Sequence, residues 1–211
     1  MDGLGSPEVV ALFAQLREVM AARRDELIAL DGKVGDSDLG ITMAKGFAAA
    51  AEAVSAPAEP PGRLLARGGM AIARAAPSTM GTLVATGFMR GGKAVEAAPT
   101  LGTPELRRFW EAFVGGIMER GKARRGDKTV VDALAPAVEA LAAAEVAGQD
   151  LSTALAAAAK AAGDGLEATK AMIAQHGKAA CFGEKTLGLA DAGATVGFIL
   201  VDAMRELVAA S

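Results

Sequence analysis

The chain has 211 residues, of which 52% are hydrophobic, 22% are charged and 4% are aromatic, with no tyrosine. This length suits one domain, and the richness in alanine and leucine favours helices over sheets. The formal net charge of −3 and the pI of about 5.3 argue against nucleic acid as a partner, and the single cysteine, Cys181, excludes an internal disulfide. We therefore predict one all-α domain over residues 1–211.

Neither end of the chain carries a targeting or membrane signal. Residues 1–6 have no basic region followed by an apolar one, as a signal peptide would. The longest charge-free apolar stretch near the C-terminus, residues 192–201, is too short to span a bilayer. These features predict a cytoplasmic protein with no membrane partner.

Apolar spacing and helix start and stop signals predict eight helices. Ser6, Pro7 and Glu8 form the first start signal, and apolar residues follow at intervals of three and four. Most connections are short, so neighbouring helices are expected to be antiparallel, and Pro136 is a potential kink in the sixth helix. The predicted helices cover approximately residues 6–30, 39–56, 63–75, 79–96, 104–122, 129–146, 151–175 and 191–209.

The connection before the last helix, residues 176–190, is unusually long for a compact domain. It combines apolar residues with several glycines. Connections of this length are usually functional or disordered, and this composition favours a lid over a disordered linker.

Three aspartates lie within eight residues, at Asp31, Asp36 and Asp38, in a stretch that also contains Gly32, Gly35 and Gly40. Carboxylates at this spacing repel one another, and carboxylate oxygens are the ligands that Mg²⁺ prefers. A solvated acidic turn ending in a helix cap is the alternative interpretation. The apolar sequence on both sides favours a turn held against a core, directly before a helix N-terminus that would attract phosphate.

Two other phosphate or metal motifs are excluded by their spacing. Read as an EF-hand from Asp36, the stretch has Ile41 at the position that needs glycine and Phe47 at the position that needs glutamate. The segments 116–123 and 87–94 resemble P-loops, but each ends in alanine where serine or threonine must bind the metal.

Several further segments are weak candidates by themselves. The predicted helix starts at 76–82 and 191–195 offer hydroxyl and N–H groups. These groups are either ordinary helix caps or walls of a nucleotide pocket. Among the basic residues of 120–128, most are expected to be solvated, with a phosphate contact for Lys128 as the less favoured interpretation. His176, the only histidine, is interpreted as incidental.

Six motifs in order resemble the L subunit of dihydroxyacetone kinase over nearly the whole chain. They are the aspartate turn Asp31-x₄-Asp36-x-Asp38-x-Gly40 and the segments 77–81, 120–122, 126–129, 183–184 and 191–195. The resemblance implies an eight-helix up-and-down barrel with a nucleotide and metal site at one end. It also implies that Asp31, Asp36 and Asp38 hold two Mg²⁺ ions, which bind the phosphates of ADP or ATP. The nucleotide contacts that it implies are Leu39, Gly40, Ile41, Thr42, Thr79, Met80, Gly121, Val130, Lys178, Asp191, Ala192 and Gly193.

The resemblance further implies a Mg-dependent kinase of two components, in which a separate K subunit binds dihydroxyacetone or a similar small ketose. No catalytic residue beyond the metal ligands is then expected in this chain. The phosphoryl donor stays open between exchangeable ATP and a phosphotransferase-system protein that recharges bound ADP. A second hypothesis, favoured by the departures from the family pattern at Leu39 and Thr42, is a nucleotide-sensing adaptor that transfers no phosphate.

Overall fold

The computed structural model describes residues 3–210, so residues 1, 2 and 211, the ends of the predicted domain, lie outside the described part. Within it there are nine α-helices and no β-strand, and the one isolated bridge pairs Leu4 with Leu101. The helices are α1 (Ser6–Ala22), α2 (Arg24–Asp31), α3 (Leu39–Ala53), α4 (Pro61–Ala75), α5 (Thr79–Ala94), α6 (Thr103–Gly121), α7 (Val130–Val146), α8 (Leu151–Ala168) and α9 (Ala192–Ala209).

The helices form a closed ring. From α3 onward each helix packs against the next one in the chain, α1 packs against α3, and α9 returns to pack against α1. The prediction of an all-α up-and-down barrel is confirmed, with α1 and α2 together taking the place of the first predicted helix. Pro136 lies inside α7, which continues through it to Val146.

The predicted first helix was wrong in one respect, because it is interrupted at Arg23, whose φ is −89° and ψ is 2°. The interruption is slight: Arg23 still donates its N–H to Val19 O at 2.9 Å and accepts from Leu27 N–H at 3.0 Å. Acidic residues in the first turn of α2, Asp25 and Glu26, are typical of a helix start. α2 then ends at Asp31, the first carboxylate of the aspartate turn.

Aromatic side chains fill the centre of the barrel. Phe88 on α5 contacts four other rings, with centroid distances of 5.4 Å to Phe13, 6.0 Å to Phe47, 6.0 Å to Phe109 and 5.2 Å to Phe113. All five rings are fully buried, so they form one aromatic cluster within the core.

Alternate helices begin at the same end of an up-and-down barrel, and here α3, α5, α7 and α9 all begin at one cleft. Gly40 sets the spacing between α2 and α3, because a Cβ at this position would lie 2.1 Å from the carbonyl oxygen of Arg24. The aspartate turn between α2 and α3 is thereby held against the helical wall.

The seventh predicted helix is shorter than expected. α8 ends at Ala168 rather than near residue 175, and a short 3₁₀ segment (Thr169–Ala171) follows it. The long connection then forms a second 3₁₀ segment (Lys178–Thr186), which is interrupted at Gly183, where φ is 53°. In the described part of the chain, no helix has both the length and the apolar character needed to cross a membrane.

Candidate functional site

The aspartate turn brings three carboxylates together. Asp31, Asp36 and Asp38 each offer an oxygen atom, and these oxygens lie within 4.8 Å of one another. A carboxylate oxygen of Asp31 accepts N–H groups of Asp38 at 3.0 Å and Leu39 at 3.4 Å, so Asp31 replaces Asp38 as the side chain that caps α3. Gly35 makes the turn possible, because a Cβ there would lie 2.1 Å from Asp31 Oδ1. Three carboxylate oxygens at this spacing suit a hard divalent cation such as Mg²⁺.

The charges in the turn are strongly coupled. The Lys178 ammonium forms an ion pair with Asp36 and holds the pKa of that carboxyl below its ordinary value. Desolvation, together with the neighbouring charges of Asp36 and Asp31, raises the pKa of Asp38. Three carboxylates against one ammonium leave net negative charge at the turn, which a bound cation would neutralise.

Four helix N-termini surround the cleft above these carboxylates, which has a volume of about 250 Å³. Ser78 Oγ accepts Gly81 N–H at 3.0 Å to cap α5, Thr129 Oγ1 accepts Val131 N–H at 3.2 Å to cap α7, and Asp191 Oδ2 accepts Ala194 N–H at 2.7 Å to cap α9. Together with the start of α3, these ends direct the positive poles of four helix dipoles at one space. Such a space favours an anion such as phosphate.

The structure brings most of the predicted nucleotide contacts to this cleft. The predicted residues that line it are Leu39, Thr79, Met80, Val130, Lys178, Asp191, Ala192 and Gly193, beside the three aspartates. Gly121 lines an adjoining cleft that shares Asp38, Ser78, Thr79 and Leu83 with the first. Gly40, Ile41 and Thr42 lie in the first turn of α3 outside the residues that line the cleft. The nucleotide contacts of all twelve residues stay predictions.

Two residues that line the cleft, Lys128 and His176, were not favoured as site residues from the sequence. Lys128 was expected in a mostly solvated basic loop, yet it is 3% exposed, whereas Arg120, Lys122, Arg124 and Arg125 are exposed. His176 was interpreted as incidental, yet it lines the cleft, and its Nε2 lies 2.9 Å from Asp127 Oδ2. The polar turn at 126–129 was the available signal, but its partners are distant in sequence.

The carboxyl group that caps α9 gives a pH-dependent stability. Desolvation raises the pKa of Asp191 to about 6, against an ordinary value of 3.8. The folded state therefore holds its proton to higher pH than the unfolded state does, so this group stabilises the fold below about pH 4 and loses that contribution as the pH rises through about 6.

We expect Asp191→Asn, which keeps a capping side chain, to gain stability relative to the parent as the pH rises from about 4.5 to about 7.5, by up to roughly 2 kcal/mol. Urea unfolding of both proteins across this range measures the difference. Asp150→Asn is the matched control, because the N–H of Thr153 lowers the pKa of the Asp150 cap on α8 and its titration lies at more acidic pH. Equal pH dependence in the parent and Asp191→Asn would contradict the expectation.

Comparison with known proteins finds relatives that match nearly the whole chain. The chain is 31% identical over 193 residues to the ADP-binding subunit of the PEP-dependent dihydroxyacetone kinase of Escherichia coli (strain K12), covering 91% of this chain and 92% of that one. It is 33% identical over 210 residues to the L-erythrulose kinase of Pectobacterium atrosepticum, covering 95% of this chain and 34% of that enzyme.

A solved structure shares the fold. The dihydroxyacetone kinase from C. freundii, crystallised in complex with AMP-PNP and Mg²⁺, superposes with a TM-score of 0.71 at 26% identity, over 94% of this chain and 33% of that one. The fold and the matching relatives define this protein as an all-α domain of the dihydroxyacetone kinase type. The chain belongs to the DAK2 domain family, whose model matches residues 33–206.

Proposed function

We propose that this protein is the nucleotide-binding subunit of a two-component kinase, which transfers a phosphoryl group to dihydroxyacetone or a similar small ketose held on a separate K-type subunit. The observation that carries the proposal is the meeting of three carboxylates and four helix N-termini at one cleft. Relatives named as an ADP-binding kinase subunit and as a ketose kinase support it.

In this proposal, Asp31, Asp36 and Asp38 hold two Mg²⁺ ions. The ions would neutralise phosphate charge and align the phosphoryl group for transfer. The helix N-termini would bind phosphate oxygens through their free N–H groups, and Leu39, Thr79, Met80 and Val130 would supply the walls around the nucleotide. Transfer of a phosphoryl group asks little covalent chemistry of the protein, so positioning and charge are its main contributions.

The residues that line the cleft are assigned here to nucleotide and metal. The proposal therefore places the acceptor on a second protein. Two phosphoryl donors fit this proposal: ATP that exchanges freely, and a phosphotransferase-system protein that recharges bound ADP. We further propose that residues 1–211 act as one domain in the cytoplasm.

Reconstitution tests the proposal directly. The purified chain is combined with a K-type subunit, dihydroxyacetone and Mg²⁺, and ketose phosphate is measured with ATP as donor and, separately, with ADP and a phosphotransferase-system donor. Ketose phosphate formation in either arm supports a kinase subunit. Tight binding of ADP with no transfer in either arm would instead support the nucleotide-sensing adaptor.

Mass analysis of the nucleotide that co-purifies separates the two donor routes. Retained ADP supports recharging in place, since a nucleotide that never leaves must be phosphorylated while bound. Protein that is purified without nucleotide and turns over ATP supports free exchange.

Lys178 gives a second test of the site, because its ammonium pairs with a carboxylate that we assign to the metal. We expect Lys178→Met to weaken binding of Mg-ADP about tenfold, through loss of a charge-assisted contact to phosphate. The same variant should bind Mn²⁺ alone more tightly than the parent, since the ammonium no longer competes for Asp36.

Calorimetry with Mg-ADP and electron paramagnetic resonance with Mn²⁺ measure the two effects. Lys185→Met is the matched control, because Lys185 is an exposed lysine on the same 3₁₀ segment. Weakened binding of both nucleotide and metal in Lys178→Met, or of neither, would contradict the assignment of Lys178 to phosphate.

A further inference from the structure

Lys128 is a buried lysine, and its ammonium forms no ion pair with a carboxylate of residues 3–210. Its Nζ instead lies within hydrogen-bond distance of four backbone carbonyl oxygens, at 2.7 Å from Thr169, 3.2 Å from Met172, 2.7 Å from Thr186 and 2.7 Å from Leu189. An ammonium has three N–H groups, so the fourth carbonyl acts through its dipole. Backbone carbonyls arranged around a cation replace its hydration shell, as they do for bound metal ions.

The four carbonyls belong to the two ends of one connection. Thr169 and Met172 follow α8, whereas Thr186 and Leu189 precede α9. Lys128 itself lies in the turn before α7, in the left-handed region with φ of 60°, a conformation that lysine rarely adopts. The backbone thus accepts an unfavourable conformation that carries the ammonium between the two ends of the connection.

Other hydrogen bonds secure the same two ends. Gly188 N–H donates to Lys170 O at 2.8 Å, and Asp191 N–H donates to Thr169 Oγ1 at 3.0 Å. The buried Thr186 hydroxyl accepts Ala174 N–H at 3.1 Å. The base of the connection is therefore closed around Lys128, while its exposed part, including Lys178, extends over the cleft.

We propose that Lys128 is a positioning residue for the nucleotide site: its buried ammonium acts as a tethered internal cation that fixes the connection between α8 and α9, and through it the two walls of the cleft formed by Lys178 and by Asp191–Gly193. This inference rests on the proposed function for the identity of the ligand. Although Lys128 borders the cleft, its Nζ is engaged by carbonyls, so it acts through the connection rather than on phosphate. Desolvation lowers the pKa of Lys128, and the charge of Asp191 opposes this shift.

Without the Lys128 ammonium, the two cleft walls formed by Lys178 and by Asp191–Gly193 should be disordered in a fraction of the molecules. We expect Lys128→Ala to raise the KM for nucleotide at least about tenfold, because the apparent affinity falls with the fraction of molecules whose walls are formed. The kcat at saturating nucleotide should stay within about threefold of the parent, since bound nucleotide restores the walls. Hydrogen exchange in residues 172–189 should rise in the nucleotide-free variant. Lys160→Ala, which removes an exposed lysine from α8, is the matched control and should behave like the parent.

Chemical rescue separates a tethered cation from a merely structural side chain. Propylammonium supplies the atoms that Lys128→Ala removes, and it should restore both the affinity for Mg-ADP and the protection from exchange. Tetramethylammonium at the same ionic strength has no N–H group and should restore neither. Rescue by both cations, or by neither, would overturn the proposal.

Lys128→Met keeps the proposal testable if Lys128→Ala does not fold, because it keeps the length of the side chain and removes only the ammonium that contacts the four carbonyls. We expect the affinity for Mg-ADP to fall at least about tenfold here too, and parent-like affinity would overturn the proposal. A parent protein that binds no Mg-ADP would refute the proposed function instead, and hydrogen exchange in residues 172–189 would still test Lys128.

Discussion

Asp36→Ala should reduce phosphoryl transfer by at least about 10²–10³-fold while the protein stays folded. Asp36 is one of three carboxylates whose oxygens lie within 4.8 Å of one another, so its loss removes one of the three carboxylate ligands of the proposed metal site. Its side chain is 38% exposed, and substitutions at such positions change stability by only about 0.5 kcal/mol. The helical barrel should therefore survive the change.

The reconstituted transfer assay, Mg-ADP calorimetry and thermal unfolding measure these effects. Asp164→Ala is the matched control, because Asp164 is also an exposed carboxylate paired with a lysine, Lys160 on α8. Asp164→Ala removes the same negative charge at a residue that does not line the cleft, so phosphoryl transfer should be unchanged. Retained transfer in Asp36→Ala would refute the assignment of the metal site, and loss of helical signal would show that the residue is needed for folding.

Phe88→Ala should destabilise the protein by about 3–5 kcal/mol, the largest effect on stability that we expect from one side chain. Phe88 lies at the centre of the aromatic cluster, where it contacts Phe13, Phe47, Phe109 and Phe113. These neighbours come from α1, α3 and α6, so a cavity at Phe88 removes contacts among several walls of the barrel at once.

Urea unfolding of the parent and the variant gives the difference in free energy of unfolding. Phe182→Ala is the control, because Phe182 is 41% exposed, and its loss should cost less than about 1 kcal/mol. A cost below about 1.5 kcal/mol for Phe88→Ala would mean that the core collapses to fill the space, so that the cluster is not the rigid centre described here.

The effects of Asp36→Ala and Phe88→Ala distinguish the mouth of the barrel, where the aspartate turn lies, from its interior, where the aromatic cluster lies. The mouth holds exposed carboxylates that repel one another, which favours cation binding at the expense of local stability. The interior holds apolar rings that contribute no charge and stabilise the scaffold that holds the mouth in place. Substitutions at the mouth should therefore alter function with little change in stability, and substitutions in the interior should do the reverse.

Local signals in the sequence predicted most of the helical scaffold. The start of the first helix was predicted at Ser6–Glu8, and the observed cap is Gly5, whose N–H is accepted by Glu8 at 2.8 Å. The segment 191–195 was predicted as a helix start, and Asp191 does cap α9, while Thr129 caps α7. Capping depends on residues within four positions of one another, so it can be recognised without knowledge of the fold.

The aspartate turn was also predictable, because its three carboxylates are close in sequence and its glycines are placed where side chains would collide. What could not be predicted from spacing is that Lys178, 142 residues from Asp36, pairs with it. The ordered motifs shared with the dihydroxyacetone kinases suggested that these segments meet, and the geometry of the cleft agrees.

By itself, the sequence determined the class of fold, the positions of most helices and the acidic turn, because each depends on apolar periodicity or on neighbours along the chain. Only the tertiary structure decided where α8 ends, since Thr169 and Met172 give their carbonyls to Lys128, 41 and 44 residues earlier. It also decided that Lys128 is buried while its basic neighbours are exposed. The physical reason is the same in both cases: a backbone carbonyl carries no sequence signature, so a site built from distant carbonyls becomes visible only when the chain is folded around it.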